Sequence, residues 1–306
     1  MYYYRKILFL CLVLIFLSSS NVQSEMATSR SALIIGVTPG PQAEIMAFVQ
    51  NLAQQEGLKL ELVEYKDYVQ PNLDLHRGKL WANSLQHLPY LENTLAKEPK
   101  FQLVPVFKTI SYPLALYPGQ RHKLLEQLKS KSSTQQKQDT KNPTSIKAPG
   151  PQEQLSADSY HAQHKNQLLI GLPNDPTNLS RALQLLAAAH YLDLKQRSHS
   201  LYTLSDVIVP DNQILLLPMD AALLPKLLKE LDLAVISCNY ALVNGLKPAQ
   251  DAVFMEAINN PYVNLFVTTR ENINDPRLQK IEKLYRSKST KDFIFEKYQG
   301  AILPSW

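Results

Sequence analysis

From residue 33 onward the chain alternates short apolar runs with amphipathic stretches, and that rhythm constrains the fold more than any single motif. Leu33-Ile34-Ile35-Gly36-Val37 reads as a buried strand. Gln42 to Glu56 follows at helical period, with Ala43, Ala47 and Leu52 among its apolar positions. Leu58-Lys59-Leu60-Glu61-Leu62-Val63-Glu64 then alternates strictly, the pattern of a strand with one solvated face. Strand and helix in turn predict an α/β architecture, a parallel sheet with covering helices. The rhythm changes near Phe101 to Tyr117. Phe101 to Phe107 and Ile110 to Tyr117 are two extended segments with no helix between them, and a crossing from one lobe to another is placed there.

From about Lys129 to Gln167 the composition shifts to Ser, Thr, Gln, Lys, Asn and Pro, with almost no branched apolar residues. Such a tract cannot bury enough apolar surface to offset its ordering entropy, so it reads as a disordered surface insert. A short helix is expected before it, around His122 to Leu128. The alternation then resumes. Ile214 to Leu217 is a strand, and Asp220 to Leu231 a helix that must accommodate Pro225. Leu233 to Ile236, Ala252 to Met255 and Val263 to Thr268 are further strands. Helices close the chain at Pro276 to Arg286 and Lys291 to Tyr298. The expected layout is a first lobe over 30–115, a second over 116–240 containing the insert at about 129–167, and a return to the first over 241–306. In such open α/β architectures ligands sit beyond the strand C-termini, often between domains.

The N-terminus has the parts of a secretory signal: basic Arg5 and Lys6, an unbroken apolar run from Ile7 to Leu17, and small polar residues to Ser24. Cleavage near Ser24 is expected, with an uncleaved N-terminal anchor as the alternative. Of the two cysteines, Cys11 lies inside the apolar run, and none follows it where a lipoprotein would carry its lipid. Cys238 sits among Leu233-Ala234-Val235-Ile236 and reads as a small buried hydrophobe. One mature thiol excludes an internal disulfide. The net charge of +5 falls when 1–24 leaves with two bases and no acid, and is too mild to argue for nucleic acid.

Catalytic and metal chemistry find no motif. The chain has no Gly-x-Ser-x-Gly elbow, no phosphate loop and no zinc-helix signature, and it has only 9 glycines. His161 and His164 have metal-compatible spacing but lie in the polar insert, where solvation is the simpler reading. No cofactor is expected. The informative stretch is Asn174 to Leu183. It follows the apolar run Leu168-Leu169-Ile170-Gly171-Leu172 and opens a helix. Asp175 fits the N-cap and Pro176 the first helical position. Arg181, a turn in, joins the helix N-terminus in what reads either as a small-anion site suited to a carboxylate or as a capped helix with a solvated Arg.

With these residues in view, the sequence resembles the methionine-binding periplasmic lipoproteins of the methionine ABC importer, the NlpA lipoprotein family. Several blocks carry the resemblance in shared order. They are Ile35 to Pro41, Glu64 to Asn72, Ala82 to Leu91, Tyr112 to Ala115, Asn174 to Leu183, Asn260 to Asn264, and the closing Trp306. The resemblance implies a two-lobed periplasmic-binding-protein fold of type II, with a cleft that closes on methionine, L or D, or a similar amino acid. It implies delivery to an inner-membrane ABC permease; without a lipid cysteine the chain is expected to be soluble in the periplasm after cleavage, as a monomer. By the same resemblance Arg181 holds the ligand carboxylate and Asn264 its backbone end, Tyr68 and His87 line the side-chain pocket, and Asn178 belongs to the site. Two positions depart from the family. Leu85 stands where an aromatic is usual, and Ser237 stands where an asparagine normally contacts the ligand. Strand alternation would put Asn239 on the face of Ser237, able to compensate.

From the residues alone, His87 could equally cap its helix, and Asn83 and Gln86 could do no more than satisfy the backbone around the cleft. Asn264, inside an apolar strand, wants a partner. A second functional reading is a non-lipidated, repurposed family member acting as a surface or periplasmic interaction protein, with the insert carrying the role.

Overall fold

A computed structural model describes residues 32–119, 167–196, 201–209, 213–257 and 260–306. The apolar run at the start becomes β1 (Leu33–Val37), followed by α1 (Pro41–Gln55) and β2 (Leu60–Glu64). Gly40 turns the chain between β1 and α1 at φ 86° and ψ −138°, a conformation that only glycine adopts without strain. Next come α2 (Gln70–His76), β3 (Ala82–His87) and α3 (Leu88–Lys97). Three extended pieces follow without a helix, β4 (Leu103–Lys108), β5 (Ile110–Ser111) and β6 (Leu114–Pro118). After the undescribed 120–166, β7 (Leu168–Pro173) leads into α4 (Pro176–Ala188). A short pair, β8 (Asp193–Leu194) and β9 (Val207–Ile208), precedes β10 (Ile214–Met219) and β11 (Leu233–Ser237). Helices α5 (Cys238–Val243) and α6 (Pro248–Asp251) lead to β12 (Phe254–Met255) and β13 (Asn264–Thr269). The chain ends with α7 (Pro276–Tyr285), α8 (Lys288–Tyr298) and β14 (Leu303–Pro304).

The strands form two five-stranded sheets, ordered β2-β1-β3-β13-β4 and β10-β7-β11-β6-β12. Each sheet is apolar on both faces. Ile35, Ile45, Met46, Phe266 and Tyr285 pack on one side of the first, and Leu75, Leu91, Leu103 and Val267 on the other. The second is covered likewise, by Ile170, Leu172, Leu183 and Val235 on one face and Leu169, Leu224 and Ile236 on the other. Two covered faces explain why these strands read as continuous apolar runs.

The sheets are mixed rather than purely parallel. β1 runs parallel to β2 and β3, and β7 parallel to β10 and β11. β13 lies antiparallel between β3 and β4, and β6 antiparallel between β11 and β12. Both antiparallel inserts enter their sheet after a crossing from the other one, so no helical crossover fixes their direction. The stretch expected as a helix over Asp220 to Leu231 is instead a series of turns at 221–230. Its bonds are mostly three residues apart, such as Lys226 N–H to Leu223 O and Glu230 N–H to Leu227 O. Pro225 has no N–H to give to an α-helical ladder. The second sheet also keeps Phe254–Met255, inside the 241–306 stretch expected to have returned to the first lobe. Cys238 opens α5 instead of extending the strand. The expected signal segment, the helix around His122 to Leu128, the insert, and His161 and His164 lie outside the described residues. No helix among the described residues is long and apolar enough to cross a membrane.

Candidate functional site

Between the two sheets lies a small, nearly filled pocket with a cavity volume of about 20 Å³. The C-terminal end of β3 supplies Leu85, Gln86 and His87, and the loop before α2 supplies Tyr68. Asn264 opens β13 directly opposite His87 in register. From the other side come Asn178 and Arg181 of α4 and Ser237 at the end of β11. All seven residues named from the sequence therefore border one space. Gln86, Tyr90 and Tyr112 complete its wall.

The start of α4 is built as its sequence requires. Asp175 caps it, accepting from the Asn178 N–H at 2.9 Å and from the Thr177 hydroxyl at 3.0 Å. The carboxylate also takes the Asn178 side-chain amide, at 3.0 and 3.1 Å. Asp175 thus takes the Asn178 N–H at the helix N-terminus for itself. What reaches the pocket is the Arg181 and Asn178 side chains.

Arg181 is neither solvated nor free. Its Nε donates to Glu256 at 2.8 and 3.0 Å and its Nη2 to the same carboxylate at 2.5 Å. Nη2 also donates to the Tyr112 carbonyl at 3.3 Å. The guanidinium lies over the Tyr262 ring, 4.3 Å from its centre. A buried cation needs such a counter-charge. The sequence reading missed Glu256 and Tyr262. The available signal was a single acid ending the apolar Ala252 to Met255 run, close to the Pro-Tyr-x-Asn block.

His87 caps its helix and also reaches across the cleft. Its Nδ1 accepts from the Tyr90 N–H at 3.2 Å, capping α3, and its Nε2 meets Asn178 Oδ1 at 3.2 Å across the cleft. Since Nδ1 accepts, Nε2 carries the proton and donates. Burial, then the Arg181 charge, brings the His87 pKa from 6.5 down to about 3. Below pH 6.5 the unfolded chain therefore takes up a proton that the folded chain refuses until about pH 3. Stability contributed here is full above pH 6.5 and falls as pH drops through that window, by up to ~1.4 kcal/mol per unit. Unfolding titrations between pH 7 and 4 should show a shallower decline for His87→Gln than for the parent chain. Matching slopes would refute this assignment.

Tyr68 donates to Asn239 Oδ1 at 2.9 Å and faces Ser237, while its ring packs against Tyr90 and Tyr240. Asn239 is fully buried in α5 and does not itself border the pocket. Ser237 and Asn239 converge on the Tyr68 hydroxyl although a helix begins at Cys238 between them. Asn83 and Gln86 satisfy Asn72 and each other through side-chain amides at 2.6 to 3.0 Å, not the backbone. The Asn264 Nδ2 is buried with no hydrogen-bond partner among the described residues, close to the Tyr112 hydroxyl. The arrangement offers a guanidinium, several amides and a wall of rings, which suits a small molecule with a charged end and an apolar end. No group of metal-binding side chains is found among the described residues.

The model of the NlpA lipoprotein family matches residues 33–144 and 162–306. The chain belongs to the NlpA lipoprotein family. The break in the match, at 145–161, falls inside the polar tract that the composition marks as an insert. Outer membrane lipoprotein 3 of Mannheimia haemolytica is 30% identical over 95% of this chain and 95% of its own length. The D-methionine-binding lipoprotein MetQ of Escherichia coli (strain K12) is 31% identical over 89% of this chain and 88% of its own. Among solved structures, a nutrient binding protein from Burkholderia cenocepacia bound to methionine superposes with a TM-score of 0.72. It is 29% identical and the match covers 90% of this chain and all of that one. This NlpA-family chain therefore shares the two-lobed substrate-binding fold.

Proposed function

We propose that the chain is a periplasmic solute-binding protein that captures methionine, L or D, or a closely related amino acid, and hands it to an ABC permease of the inner membrane. The observation that carries this reading is the pocket between the sheets, with Arg181 on one wall and a buried amide and rings on the other. Arg181 takes the ligand carboxylate. Asn264 and Asn178 serve its backbone end. Tyr68, His87 and Leu85 pack the side chain, where a thioether sits well against ring edges and faces. Ser237, shorter than an amide, reaches the amine through a water.

Closure follows from contacts between segments of the two sheets. His87 meets Asn178, Tyr68 meets Asn239, and the Tyr240 hydroxyl donates to the Lys66 carbonyl at 3.0 Å. A ligand touching both walls favours the closed arrangement by its differential affinity for it. The protein works by binding, not catalysis, as a monomer released from its signal segment without a lipid. A relative named for D-methionine binding, matched over 88% of its own length, supports solute capture over the interaction-only reading.

Calorimetric titration of the purified chain with L- and D-methionine tests this, after carried-over ligand is removed by unfolding and refolding. Binding heat is expected, with stabilisation of about 4 kcal/mol at a thousandfold excess over Kd. Heatless titrations at millimolar ligand with an unmoved Tm would defeat the proposal.

A further inference from the structure

We infer that Glu256 makes this pocket read the net charge of its ligand, so that it takes a zwitterionic amino acid and turns away a simple carboxylate of the same shape. The inference rests on the amino-acid reading of the site. Glu256 follows β12 and is pinned to β6 at two points. Its N–H donates to the Leu114 carbonyl at 3.0 Å, and its Oε2 accepts the Leu114 N–H at 2.8 Å. The carboxylate is therefore fixed by the sheet and not by a ligand.

From that position it takes the Nε and Nη2 edge of Arg181. Nη1 has no hydrogen-bond partner among the described residues, and Arg181 borders the pocket whereas Glu256 does not. The guanidinium is thus turned, with Nε and Nη2 held from behind and Nη1 left for the cavity. A lone guanidinium in a dry pocket would favour any anion. With a carboxylate against it, the pair acts on the ligand as a dipole, and the site carries no net positive charge.

Among the described residues, the other charges acting on the pocket walls have the same sign as Glu256. Asp175 and Asp67 act on Tyr90, and Asp220 and Asp67 on Tyr240, which packs on Tyr68. Arg181 is the cation that acts on Tyr112 and Tyr262, and His87 is neutral. A bare carboxylate brings an uncompensated negative charge into these surroundings. A zwitterion brings none, and its ammonium group meets a field that favours it.

The test compares L-methionine with its des-amino analogue, a methylthio-butanoate, by calorimetry on the full chain stripped of ligand. The parent chain should prefer methionine by about a hundredfold or more. Glu256→Gln keeps the shape and the Leu114 contact but leaves Arg181 with a full charge. It should narrow that preference at least ~10-fold, through tighter binding of the des-amino acid. Glu256→Asp, which restores the charge, should restore the preference even where both affinities drop. An unchanged ratio in Glu256→Gln would overturn the inference and leave methionine binding standing. Should Glu256→Gln not fold, the parent chain decides, because equal affinity for the two ligands also overturns it. If the parent chain binds neither, the amino-acid reading falls and the inference with it.

Discussion

Arg181→Ala should abolish methionine binding at millimolar ligand and also cost the fold about 3–5 kcal/mol. The two losses have different origins. Binding fails because the pocket loses the guanidinium that takes the ligand carboxylate. Stability falls because Glu256, only 14% exposed, is left as a carboxylate with no counter-charge. Tyr262 loses the cation over its ring at the same time. A double variant separates the two effects. Arg181→Met with Glu256→Leu removes both charges and keeps apolar volume, so it should recover most of the stability. It should not recover binding. Urea unfolding and calorimetry on the three proteins check this. A double variant that binds methionine like the parent would refute the carboxylate role, and one as unstable as Arg181→Ala would refute the uncompensated charge.

Phe266→Ala should destabilise the chain by roughly 3–5 kcal/mol. Phe266 is fully buried in β13 and stacks on Phe107 with ring centres 4.8 Å apart and planes 7° from parallel. Phe107 in turn packs on Tyr285, and Tyr285 on Trp306, so one ring anchors a line of aromatics through the core of the first sheet. The pairing of β13 with both neighbours is irregular beside this residue, between Leu265 and Phe266 on one side and Phe266 and Val267 on the other. The ring thus holds a strand whose ladder bonds are interrupted there. At ~2–4 °C per kcal/mol for a chain of this size, Tm should fall by roughly 6–20 °C. Phe266→Leu should lose much less. A fall under about 3 °C for the alanine variant would show that the strand collapses onto the gap.

The alternation of apolar runs and amphipathic stretches locates most of the elements because burial on both sheet faces leaves a continuous apolar signature in each strand. Strand direction leaves no such signature. β6 and β13 look like their parallel neighbours in sequence, and only their entry from the other sheet sets them antiparallel. The stretch around Pro225 has enough leucine to suggest a helix, but a missing donor in its middle favours successive turns. The pocket residues were legible mainly through the family resemblance, since a Tyr, a His or an Asn is by itself ambiguous. Glu256 was not, because its partner Arg181 is 75 residues away and no local pattern links them. Asn239 does share the Tyr68 hydroxyl with Ser237, as alternation suggests, but from a helix. The helix start at Cys238 leaves Asn239 behind the pocket wall, where it holds the Tyr68 hydroxyl.

Cys238 has a consequence of its own. It opens a helix that follows a strand of the second sheet, yet its side chain packs with the core of the first. Burial pushes its thiol up to about 12, so almost no thiolate forms near neutral pH. Oxidants and alkylating reagents act on thiolates, and they need access. While the lobes stay packed, the sulfur is chemically silent. Its reaction with a soluble thiol reagent would time the parting of the two lobes, without a label having to be introduced.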